Sequence, residues 1–410
     1  MKVRKRDGRL VEFDKTKIVN AIVGAMNDVN GVNKDVANRI ANDISKMEHE
    51  EMDVEDIQNL VEEKLMASRM KNVARAYVRF RYDREKIRES KTKLMKDISE
   101  KLTASNVQNQ NANVDEKSFG GRMGEANSAV MKNYALNYCM SEMAKNNHLN
   151  NEIYIHDLDS YAVGMHNCLS VPFDKLLASG FNTRQTDVRP ANSVNTAFQL
   201  VAVIFQLQSL QQFGGVSATH LDWTMIPYVR KSFRKHFNNG LLYIEEIELP
   251  TQYLAEEVSI EDNGYKKYPK VYKYAMDMTT KEIRQAVEGL YHNLNTLQSR
   301  SGNQLPFTSI NYGTCTKPEG RMITKALLEV SIEGIGKLHK TSIFPCGIFQ
   351  CMKGVNREKE DPNYDLFQLA LRSTSQRLYP NYANVDWSGN VGYDITDPKT
   401  YFSTINKTVA

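Results

Sequence analysis

The sequence predicts an α/β protein in which a small, mostly helical N-terminal unit precedes a larger domain of alternating helices and strands. Two observations carry this prediction. Residues 1–92 combine a short hairpin pattern with stretches of helical periodicity, and beyond Cys168 the chain alternates helical stretches with short β-prone runs. Alternation of this kind is typical of α/β domains built on a parallel sheet.

The composition is that of a globular protein with no global charge signature. The chain has 410 residues, of which 25% are charged, and its formal net charge is +4. This length suffices for two domains, and so small a net charge predicts no general affinity for nucleic acid. The N-terminus lacks a signal-peptide pattern, and no apolar run reaches the ~18 residues of a membrane span. We therefore expect a cytoplasmic protein with neither a membrane nor a nucleic-acid partner.

The cysteines are too few and too scattered for a disulfide framework. The five are Cys139, Cys168, Cys315, Cys346 and Cys351. Cys346 and Cys351 are close in sequence, but the chain offers no second pair, so this spacing is only a weak indication of zinc. We therefore predict no metal site in this chain.

The N-terminal unit is predicted to open with a β-hairpin and to continue with four helices. Residues 2–6 and 9–13 are short extended runs joined across Asp7 and Gly8, a dipeptide that favours a type I′ turn. Asp14 is a suitable N-cap for the first helix, whose apolar side chains recur with helical spacing. Those side chains are Ile18, Ala21, Ile22, Ala25 and Met26. Further helices are predicted after Asn33, after Asp53 and over residues 71–88.

Basic residues cluster in the opening run K-V-R-K-R-D-G-R. Such a run is often a solvated hairpin or a surface that faces nucleic acid. A third interpretation is a phosphate clamp, because Lys5, Arg6 and Lys17 supply cationic donors suited to a triphosphate. The residues alone leave all three interpretations open.

The N-terminal motifs resemble one known domain. The run V-x-K-R-D-G-x-x-x-x-F-D, followed by Lys17 and Ile18, is similar to the ATP-cone domain, and A-R-A-Y-V-R-F-R-Y in residues 74–82 resembles the closing helix of such cones. The resemblance implies that residues 1–92 bind ATP or dATP as an allosteric on/off switch. The residues assigned to the nucleotide in this way are Val3, Lys5, Arg6, Asp7, Gly8 and Lys17.

Residues 93–118 are predicted to form a linker, because from Lys101 onward the chain turns rich in Asn and Gln and lacks an apolar period. The next run, S-F-G-G-R-M-G-E-A-N, is rich in glycine, but it lacks the G-K-[ST] ending of a phosphate-binding P-loop. We therefore assign residues 119–410 to the second domain and expect a helix over residues 125–144.

Residues 152–172 carry the most informative thiol of the sequence. I-Y-I at residues 153–155 is β-prone, H-D-L-D forms an acidic turn, and a second short apolar run contains Cys168. Strand, polar loop and strand would hold this thiol against the inner wall of a sheet. Taken alone, Cys168 is either a buried small apolar residue or a reactive group. The acidic turn has metal-like spacing, but no second cluster supports a site.

Two helices are predicted after this segment. A short one over residues 173–181 ends at Gly180. A long one ending at Gly214 is so apolar that it is either internal or part of an interface. Next, His220 and Asp222 suggest a metal or acid/base pair, or a loop in which Asp222 caps the following helix, and we favour the loop.

The remaining chain continues the alternation. Residues 245–278 are charged and rich in Tyr, which suits a surface insertion better than a stacking surface for single-stranded nucleic acid. A helix over residues 280–298 and a strand over residues 307–312 follow. A Gly-rich loop then leads into a strand after I-F-P, and a last helix is ended by Pro380.

Several of these motifs resemble one family of enzymes. I-Y-I-H-D-L-D with H-N-C-L, Q-L-P-F-T-S and the Gly-rich run leading to I-F-P are similar to segments of anaerobic (class III, glycyl-radical) ribonucleoside-triphosphate reductases. The resemblance implies a ten-stranded α/β barrel, a homodimer, and reduction of ribonucleoside triphosphates to deoxyribonucleotides for DNA synthesis. It makes Cys168 the thiol that donates hydrogen at the 2′-carbon. It also implies formate as the reductant and an iron–sulfur activase that uses S-adenosylmethionine to install the radical.

The resemblance extends to Y-F-S-T at residues 401–404, where the family continues with M-G-C-R and this chain reads I-N-K-T-V-A. The M-G-C-R run contains the cysteine that becomes the thiyl radical. We therefore expect a partial barrel truncated before the radical cysteine, with the zinc-binding cysteines and the radical-storing glycine in a missing C-terminal part. Such a chain would require a complementary C-terminal chain for activity.

Other functions remain as alternatives. The first is a catalytically silent ATP/dATP-binding regulatory protein derived from the reductase. An ATP-cone transcriptional repressor fits less well, because no zinc-ribbon cysteines precede the cone and the second domain would have no role. A glycyl-radical enzyme acting on pyruvate or diols is disfavoured because the cone indicates nucleotides.

Overall fold

The computed structural model describes residues 2–6, 8–29, 33–47, 50–103, 118–164, 168–212, 214–247, 255–298, 304–390 and 392–401. The chain divides into two compact units, Met1–Ser99 and Glu100–Ala410. No helix within these ranges is both long enough and apolar enough to cross a membrane.

The first unit contains a three-stranded sheet. Strands β1 (Lys2–Arg4) and β2 (Leu10–Glu12) form the predicted antiparallel hairpin. A third strand, β3 (Glu51–Asp53), pairs in parallel with β1 and gives the order β2-β1-β3. Strand β3 was not predicted from the sequence, because three residues between two helices are too few to show the period-2 pattern of a strand.

Four helices pack on this sheet: α1 (Lys15–Asn27), α2 (Lys34–Ser45), α3 (Val54–Ala67) and α4 (Lys71–Thr103). The Asp14 carboxylate accepts a hydrogen bond from the Thr16 amide, so this cap is as predicted. The helix predicted after Asn33 is present, and the Asn33 side chain caps it by accepting from two amides of α2. The buried side chains of α1 to α3 share one face of each helix and form the core of the unit. They include Ile18, Ile22, Met26, Ile40, Ile44, Ile57, Val61 and Leu65.

Helix α4 is longer than predicted. It was expected to end near residue 88, but it continues to Thr103, so residues 93–103, predicted as linker, are helical. This stretch carries Leu94, Met95, Ile98 and Leu102 at helical spacing, and Lys, Leu and Met are good helix formers, which explains why the helix continues. The rest of the predicted linker, residues 104–117, lies outside the described residues.

The second unit opens with three helices, α5 (Phe119–Tyr134), α6 (Glu142–Leu149) and α7 (Leu158–Tyr161), with a π-helical turn over Ala135–Cys139. Ser118 caps α5, so this helix begins earlier than the predicted residue 125 and is interrupted before residue 144. The predicted strand over residues 153–155 is wrong, because these residues have irregular backbone. Tyr154 is 79% exposed, and among the described residues no strand pairs with this segment.

A five-stranded parallel sheet organises the second unit. Its strands are β4 (Leu169–Ser170), β7 (Val216–Ala218), β8 (Thr308–Tyr312), β9 (Cys346–Cys351) and β10 (Asn381–Asn384), in the order β10-β9-β8-β7-β4. Every neighbouring pair is parallel. A separate hairpin joins β5 (Phe181–Asn182) and β6 (Asp187–Val188). The α/β prediction is therefore confirmed, with spatial neighbours that follow chain order.

Helices connect the strands, as parallel pairing requires. They are α8 (Phe173–Ser179), α9 (Val194–Ser209), α10 (Leu221–Thr224), α11 (Ile226–Ile244), α12 (Asn263–Lys266), α13 (Pro269–Thr296), α14 (Pro318–Glu333) and α15 (Tyr364–Arg377). The main core lies between the sheet and α9, α13, α14 and α15. Its largest buried members include Phe198, Phe205, Tyr291, Tyr312 and Phe349.

Helix α9, predicted to be either internal or part of an interface, is largely buried, and one side remains uncovered, with Val203 37% and Leu207 38% exposed. One prediction about the connecting helices needs correction. Residues 245–278 are not entirely a surface insertion. Tyr265 is buried and packs edge-on against Phe233 and Phe237, and α13 begins at Pro269 rather than near residue 280.

Gly180 ends α8 as predicted, and its backbone conformation makes it sensitive to substitution. Its φ is +74°, and a Cβ atom would lie 2.2 Å from the carbonyl oxygen of Val188 on the adjoining hairpin. The variant Gly180→Ala is therefore expected to lower the free energy of unfolding by about 2 kcal/mol, because it adds a clash to a strained backbone conformation. Urea titration measures this. Gly289→Ala, on the open side of α13, is the control and should not destabilise the unit.

Candidate functional site

The first candidate site is a pocket in the N-terminal unit. It lies between the β1–β2 hairpin, α1, α3 and α4, and its volume is about 120 Å³. Its floor and walls are apolar, and Lys5 and Lys17 stand beside them as the cationic lining residues. The apolar lining consists of Val3, Val11, Phe13, Ile18, Ala21, Val54, Ile57, Val61 and Tyr77. An apolar cavity flanked by two ammonium groups suits a ligand with a flat apolar part and an anionic part.

Two polar groups around this pocket have shifted pKa values. Hydrogen bonds from the Thr16 hydroxyl and amide lower the pKa of Asp14, and Lys17 and Lys5 add to the effect. Burial raises the pKa of Tyr77 to about 12. Asp14 is therefore ionised and Tyr77 protonated at neutral pH. Since Glu12 also lines the pocket, two acidic side chains and one phenol hydroxyl accompany the two lysines.

The structure brings together only some of the residues assigned to the nucleotide. Val3, Lys5 and Lys17 line the pocket. Arg6 instead pairs with Glu55 at the start of α3. Gly8 turns the hairpin with a φ of +80° and has no contact that a Cβ would meet. Asp7 lies outside the described residues.

Glu55 is shared by two arginines. Besides Arg6, it receives the guanidinium of Arg81 from α4 at 2.9 Å. Arg81 also contacts Glu62 at 3.1 Å and Asn59 at 2.7 Å. Burial opposes ionisation of Glu55, but the charges and hydrogen bonds of Arg6 and Arg81 outweigh it and lower its pKa. No sequence pattern had singled out Glu55, because its partners are far apart in the chain.

The second candidate site surrounds Cys168 at the edge of the parallel sheet. The thiol precedes β4 and is partly buried, and its sulfur accepts a hydrogen bond from the Gly215 amide at 3.3 Å. Gly215 precedes β7, the neighbouring strand. The prediction that a short strand holds this thiol at a sheet wall agrees with β4. The leading strand of the predicted pair does not form.

Hydroxyl side chains are aligned across the sheet near Cys168. Parallel register aligns Ser170 with Ser217, and Ser217 with Ser309. The Ser309 hydroxyl donates to Ser217 at 3.0 Å, and the Asn311 amide lies 3.3 Å from the same oxygen. Cys168 lies two residues before Ser170, so the thiol is next to the strand at which this row of aligned residues ends.

Cys346 occupies the same row, opposite Ser309, but at the other side of the sheet. Three strand spacings, roughly 14 Å, separate β9 from β4, so Cys346 and Cys168 are too distant for a disulfide. The Cys346 sulfur contacts the Tyr379 hydroxyl at 3.6 Å. Burial raises the pKa of Cys346 and raises that of Cys351 to about 11. In the described part of the chain, no three His, Cys, Asp or Glu side chains group as metal ligands.

Asp222 organises the carboxyl end of β8, which the sequence analysis missed. The residue was expected to cap a helix, but it lies inside α10 and is fully buried. One carboxylate oxygen accepts the amides of Gly313 at 2.9 Å and Cys315 at 3.0 Å, and the other accepts the Trp223 amide. Burial outweighs these bonds and raises the pKa of Asp222 to about 6.

His220 flanks Asp222 in sequence but contacts a different group. Its ring lies 2.8 Å from the Thr219 hydroxyl. Burial lowers the pKa of His220, although Asp174 acts in the opposite direction. His220 and Asp222 therefore do not form the metal or acid/base pair considered from the sequence, because their side chains contact different groups.

A basic pocket of about 340 Å³ lies beside the start of α9 and the middle of α11. Its cationic lining residues, Lys231, Arg234 and Lys235, come from one face of α11, and Arg234 lies 3.8 Å from Glu256. Their spacing of three and four residues was a signal that the sequence analysis did not use. The concentration of positive charge suits a polyanionic ligand.

Comparison with known proteins identifies the family to which the chain belongs. Residues 1–86 match the family model of the ATP cone domain. Residues 110–398, more than half of the chain, match the family model described as anaerobic ribonucleoside-triphosphate reductase. The chain therefore belongs to the anaerobic ribonucleoside-triphosphate reductase family, and the resemblance drawn from its motifs is confirmed.

Individual relatives agree with this assignment. The anaerobic ribonucleoside-triphosphate reductase of Haemophilus influenzae is 35% identical over 94% of this chain and 52% of its own length. That of Escherichia coli is 32% identical over 94% of this chain and 51% of its own. The chain thus spans about half the length of these curated relatives. A solved anaerobic ribonucleotide reductase from Thermotoga maritima, in complex with dATP and CTP, aligns with a TM-score of 0.46 at 14% identity, covering 74% of this chain and 51% of that chain.

Proposed function

We propose that this chain is the part of an anaerobic ribonucleoside-triphosphate reductase that contains the ATP/dATP regulatory site and the thiol that delivers hydrogen to the substrate. The observation that carries the proposal is the family match over residues 110–398, which includes Cys168 and the whole parallel sheet. The substrate is a ribonucleoside triphosphate, the product a deoxyribonucleotide for DNA synthesis, and the site of action the cytoplasm.

The surroundings of Cys168 support the proposed role of hydrogen donor. The Gly215 amide donates to its sulfur and so fixes the direction of the thiol, and partial burial limits its contact with solvent. The polar row of Ser217, Ser309 and Asn311 is held by its own hydrogen bonds, which keeps this wall of the sheet rigid. The glycyl radical of the family, when present, supplies the unpaired electron that activates the substrate, and formate supplies the reducing equivalents.

We further propose the partners that the family implies. The five parallel strands would form part of the ten-stranded barrel. A complementary C-terminal chain would provide the radical cysteine, the zinc site and the radical-storing glycine. An iron–sulfur activase would install the radical, and a second copy would cover the exposed apolar side of α9, where Val203 and Leu207 face solvent.

The basic pocket formed by Lys231, Arg234 and Lys235 supports a second nucleotide site. It adjoins the start of α9, the helix whose exposed apolar side we assign to contact with a second copy. Three cations around one cavity match the charge of a triphosphate. We propose that specificity effectors bind here and that ATP or dATP binds in the pocket of the N-terminal unit.

The on/off site can be tested with single lysine variants. Lys5→Ala and Lys17→Ala are each expected to weaken ATP and dATP binding by about 10-fold, because each removes a charge-assisted hydrogen bond worth roughly 1.5 kcal/mol. Calorimetric titration of the 410-residue chain measures the change. Lys34→Ala, an exposed lysine of α2 outside the pocket, is the matched control. Equal affinity in all four proteins would contradict the assignment of the pocket.

A further inference from the structure

Arg6, one of the cations assigned to the nucleotide, does not face the pocket. Its guanidinium pairs with Glu55 on the first turn of α3, although Lys5, the preceding residue, lines the pocket. Val54, the neighbour of Glu55, also lines it. The residue that holds Arg6 is therefore the chain neighbour of one that lines the cavity in which a triphosphate would lie.

We propose that Glu55 is a positioning residue of the nucleotide pocket. It pairs with Arg6 when no nucleotide is bound, and it sets nucleotide affinity by competing with the phosphates for the Arg6 guanidinium. This inference rests on the proposed ATP/dATP site. It goes beyond that proposal by naming a competitor inside the chain and by making the affinity depend on the number of phosphates. Such an exchange replaces one charged partner of Arg6 by another of the same sign.

The surroundings of Glu55 make this exchange inexpensive. The side chains of Arg6 and Glu55 are each 39% exposed, so the guanidinium can move without opening the core. When Arg6 leaves, Glu55 retains Arg81, which contacts it at 2.9 Å and is itself held by Glu62 and Asn59. No charge is left unpaired, and a partly exposed ion pair costs little to break.

The structure also explains how this exchange reaches beyond the hairpin. Arg81 and Tyr77 lie one turn apart on α4, and Tyr77 lines the pocket. Glu55 therefore connects the hairpin, α3 and α4 through two arginines. Transfer of Arg6 to a phosphate changes the charge shared with Arg81, so occupancy of the pocket alters the contacts of α4.

The test replaces the carboxylate with an amide of the same shape. Glu55→Gln is expected to tighten dATP binding about three- to fivefold, the scale of a partly exposed ion pair. The gain is expected to decrease from dATP to dADP to dAMP, since Arg6 has fewer phosphate oxygens to reach. Calorimetric titration of the full chain with the three nucleotides measures this. A purely structural role for Glu55 would instead weaken all three nucleotides alike.

Three controls isolate the competition. Glu51→Gln removes the exposed partner of Arg4 on the same hairpin, and Glu62→Gln removes a partner of Arg81 alone, so neither should change affinity by more than about 1.5-fold. In an Arg6→Gln background, the effect of Glu55→Gln should fall to the level of Glu51→Gln. An unchanged or weakened dATP affinity in Glu55→Gln, or an equal gain with and without Arg6, would overturn the inference. Absence of dATP binding to the unaltered chain would instead contradict the proposed function.

Discussion

Replacing Cys168 with alanine is expected to abolish deoxyribonucleotide formation, with a loss of at least about 10²-fold, the lower range for a group that transfers hydrogen in the reaction. Alanine removes only the sulfur, and the backbone pairing of β4 with β7 does not depend on it. Substrate affinity should therefore change little while turnover disappears. The measurement is an anaerobic assay of deoxyribonucleotide formation with the activase and the proposed complementary C-terminal chain.

Cys139→Ala provides the matched control for this experiment. Cys139 is an exposed thiol on the π-helical turn, so its removal should leave turnover unchanged. Full activity of Cys168→Ala would contradict the assigned role. Binding of dATP without turnover in any combination of chains would favour the alternative of a catalytically silent regulatory protein.

The second large effect is expected for Asp222. Asp222→Ala removes the acceptor of three backbone amides, those of Gly313, Cys315 and Trp223, at the carboxyl end of β8. Each unsatisfied buried donor costs roughly 1–3 kcal/mol, so we expect a loss of about 3–5 kcal/mol in the free energy of unfolding of the second unit. Urea titration followed by tryptophan fluorescence measures it. Asp187→Ala, on an exposed hairpin strand, should change this free energy by less than about 0.5 kcal/mol.

Asp222 also makes the stability of this unit depend on pH. Its pKa in the folded protein is about 6, above the value of 3.8 for an exposed aspartate. The folded state therefore binds the proton more tightly, and the stabilisation is complete below pH 3.8 and lost as the pH rises through 6. The contribution of this group should fall by up to about 3 kcal/mol across that window. Asp222→Asn keeps one oxygen acceptor and should lack this contribution, whereas an identical pH slope in both proteins would contradict it.

The parts of the fold that were predictable are those determined by neighbouring residues. The caps Asp14 and Asn33 bond amides two or three positions ahead, and the helical spacing of α1 to α3 follows from one buried face. Gly180 ends α8 because only glycine tolerates its conformation and its close approach to the hairpin. The strand β8 was visible because the β-prone residues Thr308, Ile310 and Tyr312 recur with the period of a strand.

The errors arose where distant residues decide the outcome. The β-prone run at residues 153–155 has the composition of a strand but no neighbouring strand to pair with. Asp222 resembles a helix cap in sequence, and its actual partners lie some ninety residues later, on Gly313 and Cys315. Burial of a carboxylate by such partners leaves no local pattern.

In the candidate sites, too, some residues were predictable from local motifs, whereas their contacts depend on distant parts of the chain. Val3, Lys5 and Lys17 were assigned from a motif and do line one pocket, whereas the diversion of Arg6 to Glu55 depends on the fold. Cys168 was identified from the sequence motif of its segment. Its hydrogen bond from Gly215 exists because β4 and β7 are neighbours in the sheet, although α8, α9 and the β5–β6 hairpin separate them in sequence.

The central claim is that a nucleotide-sensing pocket precedes the thiol-bearing sheet of a reductase. Calorimetric titration of the 410-residue chain with dATP tests it most directly, in the unaltered protein and in a variant that combines Lys5→Ala with Lys17→Ala. We predict saturable binding that this double substitution weakens by roughly 100-fold, the product of two independent losses of about 10-fold each. No saturable heat with dATP or ATP, or the same affinity in both proteins, would contradict the account.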